Sequence, residues 1–248
     1  STYGDSHPEV AEVLSNLGRI EKKRGNYDNA RPLYEQAMAI LIQLFGKDHM
    51  VVAEVYVQMG DVYRKIGESV KCEDLYKRAL AIYRPQLGDD HPDVGEILYL
   101  LSLSYKGTGD YEQSMECSKQ AIAIAEKAFG PDHLKVAAPL GSLADVLSII
   151  AKYSQAIDLY KRALKIHREK LGPDHPECSE NLNAIGMIYK KLGNYHEAEK
   201  NYRESLAIVE KVFGPNHPKV AMYVHNLGVI YRKLKQHSSS NDAFQRAM

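Results

Sequence analysis

No Asn-x-Ser/Thr tripeptide occurs anywhere in the 248 residues. The three cysteines, Cys72, Cys117 and Cys178, are an odd number without paired spacing. These absences argue against a disulfide framework and for a reducing compartment, so the expected location is cytoplasmic. No apolar run approaches the ~20 residues that a membrane-spanning helix needs. No charged-then-apolar leader opens the chain, so no membrane partner is expected. An excess of one charge is missing too: Lys plus Arg and Asp plus Glu both total 32. A duplex-binding protein carries a basic surplus, which argues against nucleic acid as the main partner. The metalloprotease helix motif, the phosphate-cradling glycine loop and the Gly-x-Ser-x-Gly elbow are all absent. The expectation is a protein that is not an enzyme and holds no cofactor.

What the sequence does have is repetition. Gly4, Gly46, Gly88, Gly130, Gly172 and Gly214 are each 42 residues apart. A histidine follows three residues later every time: His7, His49, His91, His133, His175 and His217. Such register means that one structural unit has been stacked. Each unit then touches only its neighbours, so residues 1–248 are expected to form one elongated domain. Its units start near 4, 46, 88, 130, 172 and 214.

Within a unit the apolar pattern is helical. Leu182, Ile185, Gly186 and Tyr189 fall at i, i+3, i+4 and i+7, one face of a helix. The third member of this set is always small: Gly18, Gly60, Ser102, Ala144, Gly186 and Gly228. A mid-helix glycine costs roughly 1 kcal/mol against alanine, so another helix is expected to cross there closely. A second helix carries the matching face, with Ala30, Tyr34 and Ala37 recurring as Cys72, Tyr76 and Ala79, and later as Ala198, Tyr202 and Ser205. The tyrosine stripe reads as core. Gly25, Gly67, Gly109 and Gly193 fall between the helices, as left-handed helix ends require; Ala151 and Lys235 stand in the same places.

The recurring pentapeptide has a structural task. Glycine ends one unit and the His-Pro proline pre-sets the first turn of the next. Asp48, Asp90, Asp132, Asp174 and Asn216, one residue before the histidine, are expected to accept that turn's backbone donors. Met50 and Leu134 replace the proline, so those starts are expected to be looser. Pro139 is expected to delay or bend its helix, Pro85 to kink or end one, and Pro32 to be tolerated near a helix start. The chain opens at Ser1, Tyr3 takes the place of the last apolar residue of a second helix, and Met248 falls inside one. The expectation is a piece of a longer array with its last unit truncated.

The Leu…Leu-Gly…Tyr face, the Gly-x-Tyr turn and the Ala…Tyr…Ala face resemble the tetratricopeptide repeat. The 42-residue period with Gly-x-Asp-His-Pro between units is similar to the kinesin light chain type, seen also in nephrocystin-3. The resemblance implies an all-α, right-handed superhelical solenoid of antiparallel helix pairs. It also implies a non-catalytic adaptor whose concave groove, lined by the first helices, holds a linear peptide or partner segment. In kinesin light chains paired asparagines of the first helix grip the peptide backbone. The matching pairs here are Ser15-Asn16, Val57-Gln58, Tyr99-Leu100, Gly141-Ser142, Asn183-Ala184 and His225-Asn226. Only Asn16, Gln58, Asn183 and Asn226 keep an amide.

Carboxamides donate and accept at once, which suits an extended backbone. The same asparagines could instead bond neighbouring helices. A basic row near the first-helix ends (Lys22, Lys23, Arg64, Lys65, Lys106, Lys190, Lys191, Arg232 and Lys233) could meet an acidic linear motif. The row could also simply complement the helix macrodipole, as Glu12, Glu54, Glu96 and Glu180 do at the starts. The candidate peptide-binding residues are Asn16, Arg19, Gln58, Arg64, Lys106, Asn183, Lys190, Asn226 and Arg232. The six histidines lie one unit apart and cannot converge on one metal ion. A scaffold that self-associates or binds a large folded partner through array ends or a convex face is the alternative.

Overall fold

A computed structural model describes residues 7–247. Among the described residues there are twelve helices and no strand. They are α1 (Pro8–Arg24), α2 (Tyr27–Phe45), α3 (Met50–Lys65), α4 (Ser69–Leu87), α5 (Pro92–Thr108), α6 (Tyr111–Phe129), α7 (Leu134–Ile149), α8 (Tyr153–Leu171), α9 (Pro176–Lys191), α10 (Tyr195–Phe213), α11 (Pro218–Lys233) and α12 (His237–Ala247). Tyr3, Gly4 and Met248 lie outside the described residues. Contacts divide the chain into two compact units, Ser1–Ala128 and Phe129–Met248. Within each, helices pack in sequence order, α1 on α2 on α3 on α4 on α5, and α7 on α8 through to α12.

Each odd-numbered helix starts from its histidine. His7, His49, His91, His133, His175 and His217 are all N-caps, and each Nδ1 accepts the backbone N–H two residues on. The distances run from 3.1 Å at Lys219 to 3.3 Å at Val51 and Glu177. This corrects the expectation that the preceding Asp or Asn does the capping. Imidazole Nδ1 is as many bonds from Cα as the Oδ1 of Asn or Asp, so a neutral histidine can fill that place. The acids point elsewhere: Asp90 accepts from Lys127 at 2.5 Å, and Asp174 pairs with Lys211. The starts without proline, at Met50 and Leu134, carry the same cap. The rings of Phe45, Phe129 and Phe213 stack on His49, His133 and His217 at 4.8–4.9 Å.

Pro139 delays no helix, Pro85 ends none early, and Pro32 is tolerated as expected. Helix α7 begins at Leu134, the same phase as α3 and α9, so Pro139 does not delay it. The His133 cap fixes that start from upstream, and the Pro139 ring is buried. Helix α4 runs past Pro85 to Leu87, where its counterparts also end. Pro32 is the sixth residue of α2, and the helix continues through it.

The turns follow the sequence. Gly25, Gly67, Gly109 and Gly193 have φ between 75° and 85°. Ala151 and Lys235 adopt φ 60° in the same places and are the only non-glycine residues with positive φ among those described. The small residues of the first helices also have their reason. A Cβ on Gly60 would lie 2.5 Å from the Tyr76 ring, and one on Gly186 would lie 2.8 Å from Tyr202. Tyr34, Tyr76 and Tyr202 are fully buried. Where the second helix has Ser118 instead of tyrosine, Ser102 replaces the glycine, and Ser114 Oγ donates to its carbonyl at 2.7 Å.

Candidate functional site

Stacking helix pairs puts the odd-numbered helices of a unit side by side, so one side chain per repeat recurs along a shared face. In the first unit α1, α3 and α5 border a cavity of about 720 Å³. Asn16 and Arg19 of α1 line it, with Gln58 of α3. Tyr34, Leu41 and Phe45 of α2 and Tyr83 of α4 supply its floor. Its rim is acidic: Glu12, Glu54, Asp93 and Glu96 all line it. Burial, reinforced by Glu54, Asp93 and Glu96, pushes the Tyr83 phenol up to about 12.

Three of the expected residues therefore meet in one place. Arg19 Nη2 donates to Asn16 Oδ1 at 2.9 Å, tying those two together at the edge of the cavity. Gln58 Oε1 accepts from Lys22 Nζ at 2.7 Å, a bond that spans α1 and α3. Lys22 also reaches Asp61 Oδ2 at 3.0 Å. Arg64 lies 3.5 Å from the other Asp61 oxygen. Lys22 and Arg64 of the basic row are thus engaged with carboxylate and amide groups of their own face. Arg64 and Lys106 are half-buried and lie beyond the residues that line the cavity.

In the second unit Asn183 and Asn226 are in direct contact. Asn226 Nδ2 donates to Asn183 Oδ1 at 3.1 Å between α9 and α11. Both are half-buried, so each keeps part of its polar surface open. Lys190 is half-buried on α9. Arg232 is exposed, with its guanidinium 5.8 Å from the Phe244 ring centre.

The acidic rim is what the sequence reading passed over. Its signal is glutamate recurring at 12, 54 and 96 and lost at Ala138, a pattern that helix-start complementarity also produces. Among the described residues no cluster of three metal-ligating side chains exists. Cys72, Cys117 and Cys178 are buried and unpaired. Burial raises the Cys117 thiol to about 11, which keeps it protonated and inert. No helix is long and apolar enough to cross a membrane among the described residues.

A stack of helical hairpins with a lined face is the architecture of a protein-interaction scaffold. The chain belongs to the tetratricopeptide repeat family, whose model matches overlapping stretches from residue 9 to 248. Three solved structures carry the same fold at low identity. One is BtubC (BKLC) from P. vanneervenii, 21% identical over 96% of this chain and 88% of that one, with a TM-score of 0.72. Another is a putative kinesin light chain from Podosopora anserina with nearly identical repeats, 22% identical over 84% and 98%, TM-score 0.69. A third is a Rap protein complexed with Competence and Sporulation Factor, 17% identical over 97% and 76%, TM-score 0.66. The 42-residue period resembles that of the kinesin light chain type, and a putative kinesin light chain is among the structures that share the fold. No curated protein matches the sequence significantly.

Proposed function

We propose that the protein is an adaptor whose first-helix face holds an extended peptide or partner segment. The observation that carries this is the first-unit cavity, large enough for several side chains and lined by Asn16, Gln58 and apolar groups together. Amides at the edge of an apolar cleft suit a peptide, which brings backbone donors and acceptors along with side chains to bury. The Asn183–Asn226 pair offers the same chemistry in the second unit. A structural neighbour solved with a bound factor favours such a use of the fold. Three unpaired buried thiols suit a cytoplasmic setting. The test is selection from a random peptide library on the purified protein. Recovered peptides should bind less tightly to Asn16→Ala with Gln58→Ala, or to Asn183→Ala with Asn226→Ala, while the melting temperature stays close to that of the parent. Peptides that bind all variants equally would sink the reading.

One observation favours a second reading. Val13, Leu17 and Ile20 form a stripe on α1 that is 57%, 45% and 45% exposed. Spacing of i, i+4 and i+7 makes them one continuous apolar face, which suits association with a second copy or a folded partner. Light scattering across a concentration series, repeated on Leu17→Glu, separates this from a monomeric peptide binder.

A further inference from the structure

We propose that the cleft of the first unit takes a cationic extended segment of a partner protein, its lysine or arginine side chains meeting Glu12, Glu54 and Glu96. This rests on the peptide-groove reading and gives it a charge.

The rim carries four carboxylates and one guanidinium, Arg19, which is already engaged with Asn16. Helix-start complementarity accounts for Asp93, in the first turn of α5. It does not account for the three glutamates. Each is the fifth residue of its helix, and the macrodipole effect fades beyond the first turn. Nor does the second unit repeat the arrangement. The matching residues there are Ala138, Glu180 and Met222, so two of its three places carry no acid.

Spacing points to the same occupant. Packed helix axes lie roughly 8–10 Å apart, and three residues of an extended polyproline II chain rise about 9 Å and return the side chain to the same face. Cationic side chains at every third position would therefore meet one glutamate per repeat. Leu41, Val55 and Ile97 line the same cavity, which suits apolar residues of the occupant beside its cations. Tyr34 also lines the cavity, and its buried hydroxyl has no partner within the protein. Buried hydroxyls are normally satisfied, and a polar group of the occupant would supply the missing bond.

The probe is a fluorescein-labelled peptide of about ten residues with Lys at every third position and Ser and Leu between, read by anisotropy on the full chain. Peptides with Glu or Ser in the Lys positions are the comparisons. The Lys peptide should bind, and the triple change Glu12→Gln, Glu54→Gln, Glu96→Gln should weaken it about tenfold. The melting temperature should stay near that of the parent, and raising salt from about 0.05 to about 0.2 M should weaken binding further. Glu180→Gln should change nothing. Equal binding to parent and triple variant overturns the proposal. So does tighter binding of the Glu or Ser peptide; if Asn16→Ala with Gln58→Ala weakens that binding, the groove reading stands and only its charge is wrong. If no peptide of any charge binds, both fail.

Discussion

Tyr76 donates its hydroxyl to Asp61 Oδ1 over 2.9 Å, across the two helices of one hairpin and a separation of fifteen residues. Tyr160 makes the same bond to Asp145 at the same separation. The first and fifth repeats keep the tyrosine and lack the acid, with Arg19 and Met187 in its place. In both, Tyr34 and Tyr202, the hydroxyl is buried with no partner. The sixth repeat lacks both groups and has Phe244 opposite Val229. Burial holds the phenols of Tyr76 and Tyr202 well above the ordinary range, so they stay protonated donors.

Met187→Asp should therefore stabilise the protein. It places a carboxylate where Asp61 and Asp145 stand and gives Tyr202 an acceptor. A net gain of about 1 kcal/mol is expected for the new bond, or about 2–4 °C in a chain of this size. Thermal unfolding checks it, and the gain should vanish when Tyr202→Phe is added. A gain that survives Tyr202→Phe would mean that the charge acts by another route.

Ala151→Gly and Lys235→Gly should each stabilise as well. Both residues hold φ 60° where four other repeats use glycine. The left-handed conformation costs an L-residue about 1–2 kcal/mol, and the extra freedom of glycine in the unfolded chain returns part of that. The expected net gain is about 0.5–1 kcal/mol by denaturant midpoint at constant slope. Gly193→Ala, the reverse change at φ 75°, should destabilise.

These turns show what was legible in the sequence. The helix pairs, the close approach at the small residue and the left-handed turns are each dictated by neighbours in the same repeat, so a 42-residue period exposes them. The histidine caps were hidden because Asp and Asn are the stronger caps in general and stand one residue earlier. Whether the basic row was open to a partner was hidden for a different reason. Lys22 finds Gln58 and Asp61 on the helix of the next repeat, 36 and 39 residues on. Nothing in the local pattern of either helix records such a pairing. The amides were half legible: Asn183 and Asn226 could be placed on one face, but not their bond to each other.

Gly60→Ala should destabilise more than Gly18→Ala. The added Cβ would lie 2.5 Å from Tyr76 Cε1 in the first case and 3.0 Å from Tyr34 Cζ in the second. The Tyr76 ring is anchored by Asp61, whereas the Tyr34 hydroxyl has no partner and its ring can give way. Overpacking costs about 1–3 kcal/mol, against about 1 kcal/mol returned by helix propensity at both sites. Adding Asp61→Ala should shrink the Gly60→Ala penalty, because it frees the ring. A double-mutant cycle showing plain additivity would refute that coupling.

His167 sets a pH dependence whose sign can be worked out. Its Nδ1 lies 2.9 Å from Asn181 Nδ2, which also donates to the Glu177 carbonyl at 2.7 Å, so the ring accepts there only while that nitrogen carries no proton. Burial lowers its pKa below the ordinary value of 6.5; Glu177 and Glu180 oppose the shift, and His175 adds to it. With the native value depressed, the unfolded chain binds the proton first as pH falls. The His167 contribution is thus whole above about pH 6.5 and is lost as pH drops toward the lower native value. Melting temperatures from about pH 7.5 to about pH 5 should fall more steeply for the parent than for His167→Gln. Parallel curves would show that this ring titrates in the folded chain as it does in the unfolded one.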